Sequence, residues 1–169
     1  MKKMVFLLAI LTSNCLLSQK INRDKETIET LDWINSKLVE YQYENTEDDL
    51  KQLCSFTKVE KLVNEYYLVG VREQKTSKPW AFKLNFKIPI SKINSISFEE
   101  KEFNYWVVIK MKNNEKAIIN YTDKHFKDNI EKIEFMLSKN IDNEKLQPRL
   151  LKAFNYLLEL YGNKKAEKF

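Results

Sequence analysis

The stretch KPWAFKLNFKIPI, residues 78–90, alternates without a break. Trp80, Phe82, Leu84, Phe86, Ile88 and Ile90 fall on one face, and Ala81, Lys83, Asn85, Lys87 and Pro89 on the other. Successive side chains of a strand point to opposite faces, so a period of two over this length calls for a strand with one buried side. Such a strand needs partners for its backbone groups and a second layer over its apolar face. Pro89 has no amide hydrogen, which places its end of the strand at an edge or a bulge.

The partners lie on both sides in sequence. LCSFTKVE reads as a first strand, and KLVNEYYLVGVRE (61–73) as a single strand apolar on both faces in its middle, with Gly70 marking a bulge. QKTSK (74–78) is a turn. ISFEE and FNYWVVIKMK follow as strands, the second with Phe103, Tyr105, Val107, Ile109 and Met111 on one face. MKNNEKA reads as a hairpin, since Asn113 and Asn114 tolerate the positive φ of tight turns, and AIINY as its returning strand. HFKDNIEKIEFMLS (125–138) carries both periods; it is read as a loop and then a strand from about residue 131.

Helical spacing bounds this run at both ends. In DKETIETLDWINSKLVEY (24–41), Ile28, Leu31, Ile34 or Asn35, and Leu38 recur every three to four residues, with Trp33 at the edge of the stripe. Acids come early and Lys37 late, as the helix dipole favours. In NEKLQPRLLKAFNYLLELYG (143–162), Leu146, Leu150, Ala153, Phe154, Leu157, Leu158 and Tyr161 form one broad face. Pro148 suits the first turn and Gly162 the C-terminal cap. YENTEDDL (43–50) reads as a solvated loop. With 2 glycines and 3 prolines in 169 residues, the loops rest on Asn, Asp, Ser and Lys.

The fold class is therefore α+β: an N-terminal helix, six or seven antiparallel strands in a bent sheet or small barrel, and a C-terminal capping helix. This element order over residues 50–162 is similar to the pleckstrin-homology-like superfold, which also ends in a capping helix; the resemblance implies no binding residue. The LDWINSKL helix and the closing RLLKAFNYLLELYG helix also give the chain a likeness to small uncharacterised exported proteins of Gram-negative bacteria, which implies no activity.

The first 18 residues read as a secretory signal peptide: Lys2 and Lys3, an apolar run from Val5 to Leu11, then small residues. Residues 20–169 form a single globular domain on this reading, and the protein is expected to be exported, periplasmic or extracellular. The small pair Ser13 and Cys15 favours cleavage after Cys15, while a cut after Ser18 leaves Gln19 first but sets bulky Leu16 at the third position back; a lipoprotein anchored through Cys15 is the alternative. Cys54 is then the sole thiol of the mature chain and reads as buried and inert.

Several chemistries lack the residues they need. His125 is the only histidine, so neither a metal site of ordinary spacing nor a Ser-His-Asp arrangement is indicated. Two glycines cannot build a phosphate loop. The pairs Asp48–Asp49 and Glu99–Glu100 read as solvated charge, not as glycosidase acids. No enzyme activity, cofactor or metal is expected. The net charge of +5 falls to +3 without Lys2 and Lys3, and Lys and Glu are interleaved, so nucleic acid is not an expected partner.

What remains is binding, by an unknown protein or envelope component. The candidate surface is Lys83, Asn85 and Lys87 with Tyr67 and Trp106, whose strand neighbours Tyr66 and Tyr105 face the other way. The wet side of a sheet is the simpler reading of the lysines. A small-ligand carrier using a curved sheet, and a lipid-surface module using the basic strand and the Lys164, Lys165 and Lys168 tail, are the alternatives, with membrane contact less expected than a protein partner.

Overall fold

The computed structural model describes residues 2–79, 81–122 and 126–162, with side chains from residue 20 onward except those of 126 and 127. The elements are α1 (Lys2–Glu40), β1 (Tyr43–Asn45), β2 (Leu50–Leu62), β3 (Glu65–Lys75), β4 (Phe82–Pro89), β5 (Ile93–Glu100), β6 (Asn104–Met111), β7 (Ile118–Tyr121), β8 (Phe126–Ile130), β9 (Lys132–Ser138) and α2 (Leu146–Leu160). The α+β class and both terminal helices are as the sequence indicates, except that α1 does not begin near Asp24: it runs unbroken from Lys2, because nothing in the chain before Asp24 is a glycine or proline to interrupt it. Trp80 and His125 lie outside the described residues.

The sheet is not one bent sheet or barrel of six or seven strands. Nine antiparallel strands form two sheets, a six-stranded one in the order β1-β2-β3-β4-β7-β8 and a three-stranded one in the order β5-β6-β9. The chain changes sheet at the 3-10 turn Ile90–Lys92, at residues 112–117, and between β8 and β9. At the last of these Met111 donates its backbone N–H to Glu131 at 2.9 Å.

Several local expectations change for that reason. Asn113 and Asn114 both take a φ of 54°, but the chain does not fold back on β6; β7 pairs with β4 and β8 instead. Residues 61–73 are not one strand: the chain reverses at Val63 and Asn64, and Leu62 pairs with Glu65. Residues 43–45 are strand β1, followed by a turn in which the Asn45 side chain accepts from the Glu47 and Asp48 amides. Residues 126–130 are strand, not loop. Phe103 precedes β6 and is exposed, while Tyr105, Val107, Ile109 and Met111 are buried as their shared face requires.

Strand β4 buries Leu84, Phe86 and Ile88, as the alternation demands. Pro89 pairs with Tyr67 on one side and lies past the last β4–β7 pair on the other, Lys87 with Ile119. The bulge falls on β2, between Phe56 and Lys58, and not on Gly70, which sits opposite Phe56. Gly70 has a different role. It lies in register between Phe56 and Phe86, and its missing side chain lets those rings meet edge to face at 5.7 Å.

Phe56 is the centre of the core. Its ring also meets Phe135 of the three-stranded sheet at 6.2 Å and Phe154 of α2 at 5.4 Å, both edge to face. Such pairs favour perpendicular contact because of the ring quadrupole. One residue thus ties both sheets and the C-terminal helix into a single core. Helix α2 buries Leu146, Leu150, Phe154, Leu157 and Leu158, with Pro148 in its first turn and Gly162 at φ 84° after it. Helix α1 buries Leu31, Ile34 and Leu38. Ile28 is exposed, contrary to its place in the stripe; Thr27 is buried in its stead, with its hydroxyl 2.8 Å from that of Tyr161.

The two sheets also meet through polar side chains. Strand β9 is an edge, and an open edge invites pairing with other chains. Gln52 accepts the Met136 amide at 2.7 Å, Arg72 donates to the Glu134 carbonyl at 2.6 Å, and Ser138 donates to the Tyr41 carbonyl at 2.8 Å. Side chains of the larger sheet and the end of α1 close the edge of the smaller one.

Candidate binding surfaces

Four of the five surface residues read from the sequence stand on the outer face of the six-stranded sheet. Register places Lys83 opposite Glu73, Asn85 opposite Val71, Lys87 opposite Val69, and Tyr67 beside Pro89. Trp106 is apart from them: it lies on β6 of the other sheet, half-buried, between Glu99 and Met136.

The charges on this face are largely spent on one another. Lys87 makes a 2.6 Å ion pair with Glu60 and stands 6.0 Å from the Tyr121 ring centroid. Glu60 is also paired with Lys58 at 2.7 Å. The contact with Glu60 raises Lys87 above the usual lysine range, and Lys58, then Lys87, hold Glu60 below the usual carboxylate range. Tyr67 donates to Glu65 at 3.4 Å, and burial, then that carboxylate, pushes its hydroxyl up. This is how a wet sheet face looks: Lys87 is neutralised in place over an apolar stripe of buried Val69 and half-buried Val71 and Ile119.

The carboxylate pairs are likewise occupied. Asp48 meets Lys78 at 3.1 Å, Asp49 accepts the Ser77 amide at 2.9 Å, Glu99 meets Lys101 at 3.2 Å, and Glu100 meets Lys139 at 2.9 Å. Cys54 is buried, and burial pushes its thiol well above the usual range. Tyr105 is buried and donates to Asp142 at 3.0 Å. Among the described residues no group of three or more His, Cys, Asp or Glu is placed to hold a metal ion, and no helix is long and apolar enough to cross a membrane.

A second surface was not legible in the sequence. Between α1 and α2 runs an open groove of about 530 Å³, lined by Glu29, Thr30 and Trp33 on one side and Arg149, Lys152, Ala153 and Tyr156 on the other. Helical spacing explains the lining: residues three and four apart share a face, so 29, 30 and 33 converge, as do 149, 152, 153 and 156. Ala153 opens the space, since a larger side chain between Arg149 and Tyr156 would fill it. The Arg149 guanidinium lies 5.6 Å from the Trp33 ring centroid. Tyr156 donates to Glu26 at 2.7 Å, which fixes its ring at one end and raises its hydroxyl above the usual range. The floor is apolar and the rim carries Arg149 and Lys152 against Glu29, a combination suited to an apolar side chain next to a carboxylate. Its traces in the sequence are slight: Trp33 off the apolar stripe, and a small Ala153 on a helix of large residues.

Compared with protein-family models, with curated proteins and with solved structures, the chain finds no match in any of the three.

Proposed function

We propose that this chain is an exported, non-enzymatic binding domain that takes a segment of a partner protein or envelope component into the groove between α1 and α2. The observation that carries the reading is the groove itself. It is the surface where an aromatic floor, Trp33, meets two rim cations, Arg149 and Lys152, and its volume of about 530 Å³ suits one or two anchoring side chains. The outer sheet face is a weaker candidate, because Lys87 is held by Glu60 at 2.6 Å, whereas Arg149 at the groove rim has a looser pair with Glu144 at 3.6 Å and Lys152 stands beside it. Four phenylalanines, Phe56, Phe86, Phe135 and Phe154, occupy the space that a carrier would use inside a curved sheet, so the carrier alternative has less support.

The test is site-specific photocrosslinking in the native host, with the crosslinker at Lys152 and, separately, at Lys83. The expected result is an adduct from position 152 in the envelope or secreted fraction, lost when Ala153→Phe fills the groove. Adducts from position 83 alone, or adducts from 152 that survive Ala153→Phe, overturn the groove assignment. Intact mass in the same fractions tests export: a chain starting between residues 16 and 20 is expected, or a lipid-shifted mass starting at Cys15, and an uncut cytosolic chain refutes it.

A further inference from the structure

Three parts of the chain meet at one end of the folded body. Helix α1 runs antiparallel to β2: Asn35 bonds the backbone of Phe56, while Arg23, three turns earlier, stacks over Tyr66, which pairs with Lys61 near the end of β2. Moving back along α1 and forward along β2 therefore leads to the same place. The end of α2 joins them there. Tyr161 packs on Tyr66 with ring centroids 4.7 Å apart, and Arg23 lies 5.3 and 5.1 Å from the two rings.

What this end presents is an apolar tip among cations. Val63, at the β2–β3 turn, is 91% exposed, and Leu62 beside it is exposed as well. Val63 has a φ of 56°, a left-handed conformation that a β-branched residue adopts only with strain and that Gly or Asn takes freely. The turn geometry alone therefore does not favour valine here. Ile21, two residues before Arg23 and so on another side of α1, is 68% exposed. Around these stand Lys20, Arg23 and Lys61, whose ammonium lies 5.7 Å from the Tyr66 ring centroid. The nearby acids are partly engaged: Glu60 with Lys58 and Lys87, and Glu65 with Ser91 and Tyr67, leaving Asp24. Lys164, Lys165 and Lys168, which follow Gly162 in the sequence, lie outside the described residues.

We propose that this end is a membrane-facing surface, which docks on anionic lipid by inserting Leu62 and Val63 at the interface while the surrounding cations meet the headgroups. Interfacial binding takes both components, buried apolar area and attraction to anionic lipid. Cys15 is eight residues before Arg23, about 12 Å along a helix, so a lipid anchor there would hold the tip close to the bilayer. This surface is separate from the α1–α2 groove and uses none of its residues.

The test uses the exported form of the chain, beginning at residue 20 after the leader, with Val63→Cys labelled with an environment-sensitive fluorophore and Cys54 left buried. A second chain beginning at residue 20 carries Val39→Cys, labelling an exposed residue near the other end of α1. Each is mixed with phosphatidylglycerol–phosphatidylcholine vesicles and with phosphatidylcholine vesicles alone. The expected result is flotation with the anionic vesicles, a blue shift from the label at position 63 and none at position 39, both fading as salt is raised. In the unlabelled chain Val63→Asp should weaken vesicle binding by about tenfold. Flotation without a shift at position 63 shows that another segment carries the binding and overturns the proposal, as does no flotation. A shift at position 63 that needs no vesicles and grows with protein concentration points to self-association and also overturns it. Ala153→Phe leaves the expected response unchanged, so failure here and failure of the groove reading are distinguishable.

Discussion

Asn35 on α1 makes both of its side-chain hydrogen bonds to one residue of β2. Its Nδ2 donates to the Phe56 carbonyl at 2.7 Å, and its Oδ1 accepts the Phe56 amide at 2.8 Å. Strand β1 covers β2 only at residues 50–52, so beyond that the edge of β2 is open. Asn35 closes it where the bulge begins, acting as one residue of a missing strand. Replacing it with Ala strands two backbone groups beside the core. Asn35→Ala is expected to cost about 2–3 kcal/mol in urea unfolding. Asn35→Asp keeps the acceptor but sets a carboxylate against the Phe56 carbonyl, and should be no better.

Gly70 allows no side chain. A Cβ built there would overlap the Phe86 ring and come within 2.5 Å of the Ser55 carbonyl oxygen. Gly70→Ala is expected to destabilise by about 2–3 kcal/mol, through displaced rings and a spread β2–β3 ladder. Adding Phe86→Leu should recover little, because the Ser55 backbone cannot yield as a side chain can. Thermal melts of the single and double variants check this; full recovery would locate the clash in the ring alone.

Gln52 guards the edge of β9. It is buried, takes the Met136 amide at 2.7 Å, and donates to Gln74 at 3.3 Å. Gln52→Leu leaves the amide unbonded at a cost of about 1–3 kcal/mol, while Gln52→Glu keeps the acceptor. Amide exchange at Met136 should quicken in Gln52→Leu more than exchange at Val107, inside the β6–β9 ladder. Equal acceleration at both would mean global destabilisation and no local role for Gln52.

Glu60 gives the fold an acid-sensitive contact. Its carboxyl is held below its ordinary value of 4.5 by Lys58 and Lys87. A depressed carboxylate contributes stability that is full above the unfolded value and is lost as pH falls through the folded one. The parent chain should therefore exceed Glu60→Gln in stability near neutral pH, with the gap closing as pH drops below 4.5. A gap that stays constant down the acid limb would assign the difference to packing and not to charge.

How far the sequence carries is clearest at particular elements. Phe82 to Pro89 is a strand because its own alternation permits nothing else, and α2 begins and ends where Pro148 and Gly162 punctuate it. Residues 61–73 misled for the opposite reason. Leu62 and Val63 continue a strand-like stretch with no glycine or proline to mark an end, and the chain turns there with a valine at positive φ, against that residue's own preference. The Asn113–Asn114 turn was legible as geometry but not as pairing, since a turn says that the chain bends and not which strand it meets next.

For the surfaces the division is similar. The sequence placed Lys83, Asn85 and Lys87 on one face, because a strand period of two is local arithmetic, while the β3–β4 register set Tyr67 beside them. It could not join Glu60 to Lys87, which lie on strands that do not pair directly, nor bring Trp33 to Arg149 across two helices more than a hundred residues apart. Periodicity, caps and turn residues depend on neighbours within a few positions, so this protein's sequence by itself determined its helices, most of its strands and their buried faces. The division into two sheets, the groove between the helices and the exposed tip at Val63 depend on which distant segments cover one another. Only the tertiary structure decided them, because that choice is made by the packing of the whole core around Phe56.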